Sequence, residues 1–275
     1  AKSGNFDLII TSEVFSLNSL KLALCTPKNL IVWQELGKHN RIFHGLASKF
    51  WYGIVAKIGF KKALIVARSV QAREFISKYC KNVSDTIIDH GVNIEKFTPC
   101  REKDNQFAIS SQLISRKHIE KSIEAFAKYL NKYDDSAKLY IMGDGDEKEN
   151  LRKLTKDLGA DKNIIFTGKL GHNKLIEILK KSIAMLVYTE KDNNMVSVVE
   201  SIALATPVIT TDIPYNASYI KAEKLGIVNN NWNEDDLRKL AASDEYINNC
   251  MNYRKYLPTE YKAEQFLKLF SGEKR

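Results

Sequence analysis

Strand-like apolar runs alternate with helical patterns along almost the whole chain, and this alternation restricts the fold more than any other feature. The first part has four such runs: Phe6 to Thr11, Asn29 to Trp33, Ala63 to Ala67 and Thr86 to Asp89. The second part continues with Phe107 to Ser110, Lys138 to Met142, Ile164 to Thr167, Ile183 to Tyr188, Val208 to Thr210 and Leu225 to Val228. Segments with helical spacing of apolar residues lie between most of them. The pattern predicts an α/β fold with doubly wound parallel sheets.

A polar segment with a proline, Phe97 to Asn105, separates the two parts. We therefore predict two Rossmann-like domains, residues 1–98 and 99–275, facing a cleft that binds a ligand at the carboxyl ends of their strands. The first domain has few strands, and the chain starts at Ala1 without methionine. We therefore expect the first domain to be truncated. The pattern leaves open whether the last helix, Tyr261 to Phe270, crosses back to the first domain.

Positive charge is concentrated in the first part of the chain. The net charge is +9, and residues 1–98 hold 14 Lys and Arg against 7 Asp and Glu. A basic face of this kind suits anionic lipid, nucleic acid or a phosphorylated substrate. We expect no nucleic-acid partner, because no recognition motif accompanies the charge. Lys49 to Lys62 mixes aromatics with lysines, which is typical of an interfacial helix or of an amphipathic helix whose apolar side lies in the core.

Cysteine usage and hydropathy indicate the cellular compartment of the protein. No apolar run approaches the ~20 residues of a membrane span, and the start shows no signal-peptide pattern. The four cysteines are far apart and form no C-x-x-C pair. This spacing favours reduced thiols over a zinc site. We therefore expect a cytoplasmic protein, with peripheral contact to the inner face of an anionic membrane left open.

Two acids eight positions apart mark the segment from Ile183 to Thr211. Asp192 lies in a polar loop after a strand, and Glu200 lies in the helix that follows. With Asn193 or Asn194 as the N-cap, the free amides of Met195, Val196 and Ser197 would form an anion site at the helix N-terminus. Carboxylates on either side suit sugar and ribose hydroxyls that flank a diphosphate. An Asx-capped helix with a solvated glutamate is the alternative.

Other motifs are weaker. Gly143-Asp144-Gly145-Asp146 follows a strand, but position 148 is lysine, so the G-x-G-x-x-G dinucleotide fingerprint is incomplete. The glycines instead indicate a tight turn at a strand end. Lys117 follows the strand-like run Phe107 to Ser110. It could neutralise a phosphate in the cleft, or it could be a solvated surface lysine. The histidines lack ligand spacing, and we predict no metal site and no cofactor.

The order of these segments resembles the donor-binding half of retaining GT-B glycosyltransferases of family four. That family runs as G-R-L-x-x-x-K-G, a helix with I-x-A-F, G-x-G, F-x-G, E-x7-E and G-x-P-V-I. This chain has SSQLISRKHIEKSIEAF, LYIMGDGD, IIFTGKL, Asp192-x7-Glu200 and ALATPVITT in the same order. Upstream, LIVARSVQAREFI and IIDHGVNIEKFTP resemble the family's preceding strand and helix and its inter-domain motif. The resemblance covers roughly Asp7 to Val228.

The resemblance implies roles for individual residues. In that family the second acid holds the nucleotide ribose, the first meets donor-sugar hydroxyls, and the lysine touches the diphosphate. These roles fall on Glu200, Asp192 and Lys117, which we take as the catalytic set. The donor-binding set implied beside them is Gln112, Arg116, Gly143, Asn193, Asn194, Met195, Val196 and Ser197.

The chain departs from the family pattern at several of these positions. The first acid, Asp192, is aspartate instead of glutamate, and Gln112 replaces an arginine, which removes one positive charge from the diphosphate. Arg116 is the candidate replacement. Gln34, beside Glu35, stands where the family has a histidine, and we take both as acceptor-side residues. The segments D-N-N-M-V-S and S-Q-L-I-S-R-K resemble a bacterial polysaccharide subgroup, so we interpret the departures as its signature.

The sequence therefore predicts a hexosyltransferase. It would move a sugar with retention from a nucleotide sugar to a saccharide or lipid-linked acceptor, in cell-surface polysaccharide synthesis. The alternative is a non-catalytic GT-B partner subunit or nucleotide-sugar binding protein, motivated by Gln112 and Gln34.

Overall fold

The structure is a computed structural model that describes residues 6–37 and 45–273. It divides into two compact units, the first formed by residues 1–90 and 262–275 and the second by residues 91–261.

The first unit is built on a four-stranded parallel sheet in the order β1-β2-β3-β4. The strands are β1 Ile9–Ser12, β2 Leu30–Gln34, β3 Leu64–Ala67 and β4 Val83–Ile87. The helices are α1 Leu17–Cys25, α2 Gly45–Phe50, a π-helical segment Trp51–Ala56, α3 Lys57–Gly59 and α4 Val70–Ile76, with a 3-10 turn at Pro27–Asn29. Strand β3 is buried along its whole length, because helices cover both faces of a parallel sheet and its central strands must be apolar throughout.

The second unit is built on a six-stranded parallel sheet in the order β10-β9-β8-β5-β6-β7. The strands are β5 Gln106–Ser110, β6 Lys138–Met142, β7 Ile164–Gly168, β8 Ala184–Leu186, β9 Val208–Thr210 and β10 Gly226–Val228. The helices are α5 Ile119–Lys132, α6 Lys148–Asp157, α7 His172–Lys181, α8 Val196–Ala203, α9 Asn216–Ala222, α10 Glu234–Ala241 and α11 Glu245–Tyr253, with 3-10 turns at Ile94–Lys96, Ser115–Lys117 and Arg254–Tyr256. The last helix, α12 Thr259–Glu273, begins in this unit and continues into the first. Across residues 6–37 and 45–273, no helix combines the length and apolar character that crossing a membrane requires.

The two sheets confirm the predicted fold class, with the smaller sheet in the N-terminal part. The structural units divide at residue 90, whereas the predicted boundary followed residue 98. Residues 91–98 lie in the second unit, where the Val92 amide donates to the carbonyl of Leu257 at 2.9 Å. Helix α12 starts in the second unit, and from Lys262 onward it belongs to the first, where Lys262 pairs with the buried Asp89.

Three helices were not predicted: α1, α9 and α11. Helix α9 has only seven residues, and α11 contains three asparagines, which favour caps and turns over helix interiors. Leucines on both sides of α1 obscure its single buried face.

The strand order of the second unit reverses between β5 and β8. These two strands pair in parallel, yet the chain leaves β5 toward β6 and leaves β8 toward β9. The loops after β5 and β8 therefore diverge at the carboxyl edge of the sheet and leave a crevice between them. Such a switch point is where doubly wound sheets bind their ligands.

Candidate functional site

Lys117 and Asp192 meet at this switch point. Lys117 lies in the 3-10 turn after β5, because His118 adopts a left-handed conformation (φ 41°) and delays the start of α5. Its Nζ lies 2.6 Å from Oδ2 of Asp192 in the loop after β8. Both side chains are largely buried, with exposed fractions of 11% and 14%. The hydroxyl of Thr189 donates to the same carboxylate oxygen. Two residues that are 75 positions apart thus form one charged pair.

Arg116 completes the charge pattern around Asp192. Its guanidinium donates to Asp192 Oδ1 at 3.1 Å and to the carbonyl of Lys191 at 2.7 Å. One carboxylate is therefore flanked by two cations, which leaves one net positive charge at the end of the loop. Gln112, at the position where the family pattern has an arginine, is exposed. The guanidinium that contacts the Asp192 loop is that of Arg116, four residues further along the chain.

These contacts determine the ionisation of Asp192. Burial would raise the pKa of the carboxyl, but the hydrogen bonds from Lys117 and Thr189 and the charge of Lys117 outweigh it, with a further contribution from Arg116. The pKa of Asp192 is therefore held below its ordinary value of 3.8. Asp192 is an anion at neutral pH and can accept hydrogen bonds from hydroxyl groups.

The N-terminus of α8 follows directly after this loop, but its predicted cap is wrong. The cap residue is Met195, with extended backbone and no side-chain cap, instead of Asn193 or Asn194. The Met195 amide is not free either, since it donates to Oδ1 of Asn216 at 2.7 Å. Val196 and Ser197 are the first residues of the helix, whose amides have no acceptor within it. The positive end of the helix dipole remains at this place.

Asn216 organises the loop, although no local sequence pattern points to it. The side chain is fully buried. Its Nδ2 donates to Asn194 Oδ1 at 2.8 Å and to the Tyr219 hydroxyl at 2.6 Å. The Asn193 carbonyl accepts from the amide of Tyr215 at 2.7 Å. Residues 193–195 are therefore held by the segment 215–219 around the start of α9. A local pattern cannot reveal this, because α9 itself was not predicted.

Glu200 lies one turn into α8 and pairs with a second residue that sequence reasoning missed. Its Oε1 lies 3.0 Å from Nε2 of His172, the first residue of α7. The Glu200 side chain is mostly buried and that of His172 half exposed. The imidazole restricts the rotamers of the carboxylate, which can then present its oxygens to a neighbouring hydroxyl.

Gly143 fixes the neighbouring loop after β6 against the loop after β5. A Cβ at Gly143 would lie 1.8 Å from the carbonyl oxygen of Ser111, and one at Gly145 would lie 2.4 Å from that of Leu113. The Ser111 amide donates to the Met142 carbonyl at 3.1 Å. The glycines are thus required by close backbone approach, which sets the path of the residues around Gln112.

The predicted acceptor-side residues lie at the end of β2 in the first unit. Gln34 is fully buried; its Oε1 accepts from the Val14 amide at 2.9 Å and its Nε2 donates to the Leu36 carbonyl at 2.8 Å. Its amide thus bonds to the backbone inside its own unit.

Glu35 is only partly buried and forms a 2.6 Å ion pair with Arg68. The neighbouring His90 side chain lowers the pKa of Glu35 most. Burial acts in the opposite direction, and the charge of Arg68 lowers the pKa further. Glu35 is therefore an anion at neutral pH that already pairs with the guanidinium of Arg68.

The second unit brings the predicted donor-side residues to one edge of one sheet, and it adds Thr189, His172 and Asn216. A small cavity at the switch point is lined by residues from both loops, Lys117, Tyr188 and Met195 among them. In the part of the chain that the structure describes, no three His, Cys, Asp or Glu side chains group as ligands for a metal ion.

Comparison with solved structures shows the fold. A mutant of S. aureus TarM, in complex with Fondaparinux, alpha-GlcNAc-glycerol and UDP, superimposes with a TM-score of 0.69 and 20% identity over 88% of this chain and 51% of its own. Anabaena HepE in complex with UDP superimposes with a TM-score of 0.72 and 13% identity over 97% of this chain and 79% of its own. The two parallel-sheet units are those of the GT-B fold.

Sequence comparison shows the family. The chain is 26% identical to the alpha-monoglucosyldiacylglycerol synthase of Streptococcus pneumoniae (strain ATCC BAA-255 / R6), over 97% of this chain and 65% of that protein. It thus spans about two thirds of that relative and half of TarM. The family model described as glycosyl transferases group 1 matches residues 93–255. The chain belongs to the group 1 glycosyl transferases.

Proposed function

We propose that this chain is a retaining hexosyltransferase of glycosyltransferase family four that uses a nucleoside diphosphate sugar as donor. The observation that carries the proposal is the Lys117–Asp192 pair at the β5–β8 switch point, next to the N-terminus of α8. One net positive charge and a helix N-terminus suit a diphosphate. Carboxylates on either side suit the hydroxyls of the sugar and of the ribose.

Each group then has a role in the transfer. Lys117, Arg116 and the first amides of α8 stabilise the negative charge that develops on the departing diphosphate. Asp192 orients the donor sugar, and Glu200 binds the ribose. The acceptor hydroxyl attacks the anomeric carbon from the face that the diphosphate leaves, and the departing phosphate oxygen takes its proton. The bond from the anomeric carbon to the diphosphate breaks while the bond to the acceptor forms, so configuration is retained. No metal ion or cofactor is required.

We assign the acceptor to the saccharides and lipid-linked saccharides of cell-surface polymers. One relative is named as a synthase of a glucosyldiacylglycerol, and another, from Salmonella typhimurium, as an O-antigen chain mannosyltransferase. The excess of positive charge in residues 1–98 suits an acceptor that carries phosphate or lies at an anionic surface. The cytoplasm, where thiols stay reduced, is the proposed location.

The test is incubation of the purified protein with a panel of nucleotide sugars, with and without lipid-linked acceptors. Release of nucleoside diphosphate that requires the acceptor supports transfer, and NMR of the product reports the anomeric configuration. The alternative is a non-catalytic partner subunit or nucleotide-sugar binding protein, which Gln34 favours because its amide is bonded to the backbone of its own unit. Donor binding without transfer or hydrolysis would support that alternative.

A further inference from the structure

His118 connects the turn that carries Lys117 to the loop that carries Asp192. Its Nδ1 lies 2.8 Å from Oε1 of Glu120, in the first turn of α5. Its Nε2 lies 2.8 Å from Oε1 of Glu190, in the loop after β8. The imidazole is largely buried, whereas both carboxylates are more exposed. One ring therefore bridges two segments that lie far apart in the sequence.

The backbone of His118 is left-handed, with φ 41° and ψ 45°. Glycine adopts this conformation at little cost, whereas a residue with a Cβ pays a steric penalty. The family pattern G-R-L-x-x-x-K-G has glycine at the position of His118, where that penalty is absent. In this chain the contacts of the histidine side chain must offset it. Strained backbone that is held by surrounding contacts is typical of functional sites.

An aromatic neighbour fixes the orientation of the imidazole. The ring of Tyr188, which follows β8, lies edge to face with that of His118, with 6.3 Å between the centroids. The Tyr188 hydroxyl donates to the carbonyl of Asn230 at 2.5 Å, and the Lys121 ammonium lies 4.6 Å from the Tyr188 ring centre. With Tyr188 on one side and Glu120 at Nδ1, the imidazole keeps its Nε2 directed at the loop.

The other contacts between this turn and this loop depend largely on the two cations of the donor site. The Arg116 guanidinium donates to Lys191 and Asp192, and the Lys117 ammonium donates to Asp192. A diphosphate competes with the loop for both cations. The contact of His118 with the loop involves neither of them, so it can persist when a diphosphate binds. One backbone bond supports it, from the amide of Glu190 to the carbonyl of Arg116 at 3.3 Å.

We propose that His118 is a positioning residue that holds Asp192 at the donor sugar through Glu190. The two cations can then turn to the diphosphate without releasing the loop. Neither His118 nor Glu190 is expected to touch the donor. This inference rests on the proposed function, because it concerns how the same donor site keeps its shape when it is occupied.

The first test is hydrogen exchange of the backbone amides of residues 189–192, without any nucleotide sugar. His118→Asn introduces a residue that tolerates the left-handed backbone but is too short to bridge both carboxylates. We expect these amides to exchange about three- to fivefold faster in His118→Asn and in Glu190→Ala. Glu120→Ala is the matched control, because it removes the carboxylate at the same 2.8 Å distance but leaves the contact with the loop. It should exchange like the wild type.

The second test measures kcat and the KM for the donor, using the nucleotide sugar that the wild type accepts. KM should rise about three- to fivefold in His118→Asn and Glu190→Ala, while kcat changes less than about twofold, because the loop binds the donor in the ground state and in the transition state alike. The double variant should be no weaker than either single one, since both remove the same contact. Glu120→Ala should keep the wild-type KM.

Three results would overturn the proposal. The first is unchanged exchange in His118→Asn and Glu190→Ala, whether or not the chain binds a nucleotide sugar. The second is an equal rise of KM in Glu120→Ala and Glu190→Ala, which would mean a general effect of lost negative charge. The third is a lower melting temperature of His118→Asn with unchanged KM, which would make His118 a structural residue only. A wild type that neither binds nor transfers a sugar would instead contradict the proposed function, and the exchange comparison would still decide whether His118 holds the loop.

Discussion

Asn216 Oδ1 accepts a hydrogen bond from the backbone amide of Met195 at 2.7 Å, and this bond connects the start of α9 to the N-terminus of α8. Both residues are buried, Asn216 completely. The loop proposed to hold the donor diphosphate therefore has its conformation fixed by a side chain that we do not expect to touch the donor.

Replacing Asn216 should loosen this loop. Asn216→Ala leaves the buried Met195 amide without its partner, at a cost of about 1–3 kcal/mol. We expect donor affinity, measured by calorimetry, to fall about tenfold. Lys221→Ala on the exposed side of α9 is the control. A lower melting temperature with unchanged donor affinity would mean that Asn216 only stabilises the fold.

Lys117→Met should reduce turnover by about 10²-fold or more, because it removes a preorganised positive charge from the departing diphosphate. It should also raise the pKa of Asp192, since the hydrogen bond and charge of Lys117 now lower that pKa. Lys128→Met, an exposed change on α5, should leave initial rates as in the wild type. Full activity of Lys117→Met would remove Lys117 from the site.

Gly143→Ala should disrupt the contact between the loops after β5 and β6. The new Cβ would lie 1.8 Å from the Ser111 carbonyl oxygen, so one backbone must move. We expect a loss of more than about 2 kcal/mol in the free energy of unfolding, measured in urea. Gly171→Ala, where no atom lies within 4 Å, should cost at most about 1 kcal/mol. Equal effects of both changes would contradict the close-approach argument.

Lys103 should make stability depend on alkaline pH. Burial lowers the pKa of Lys103 to about 8 from its ordinary 10.5, although its ammonium donates to the Lys180 carbonyl and the Thr206 hydroxyl. Between these values the unfolded chain holds the proton and the folded chain does not, so the free energy of unfolding rises with pH. Below pH 8 both states hold the proton and this contribution is constant.

The control for this effect is Lys103→Met, which lacks the titrating group. The difference in unfolding free energy between wild type and variant should grow in favour of the wild type from pH 8 toward pH 10, by at most about 3 kcal/mol. Parallel curves over this interval would show that Lys103 titrates normally.

The strands could be predicted from the sequence, because a buried strand such as β6, Lys138–Met142, is visible as a local run of mostly apolar residues. The sequence also predicted α8 from spacing and its end before Thr206-Pro207. The cap of α8 was wrong because the Met195 amide finds its acceptor 21 residues away, beyond any local pattern.

The site could be predicted only in part. The local pattern pointed to Asp192, Glu200 and Lys117, and the resemblance to a known family implied their roles. Nothing in their spacing indicates that Lys117 and Asp192 contact each other. The pairing of Glu200 with His172, 28 residues away, was missed because a lone histidine without ligand spacing carries no local signal. Such partners depend on which strands are neighbours in the sheet, and the strand order is a property of the whole fold.

Calorimetric titration of the wild type and Glu200→Ala with the nucleotide sugar that the wild type binds is the most direct test of the donor site. A lost charged hydrogen bond to a ribose hydroxyl should weaken binding about 10- to 100-fold, and His172→Ala should give a smaller loss by freeing the carboxylate. Glu177→Ala, an exposed carboxylate on α7, should bind like the wild type. Unchanged affinity of Glu200→Ala would contradict the proposed site.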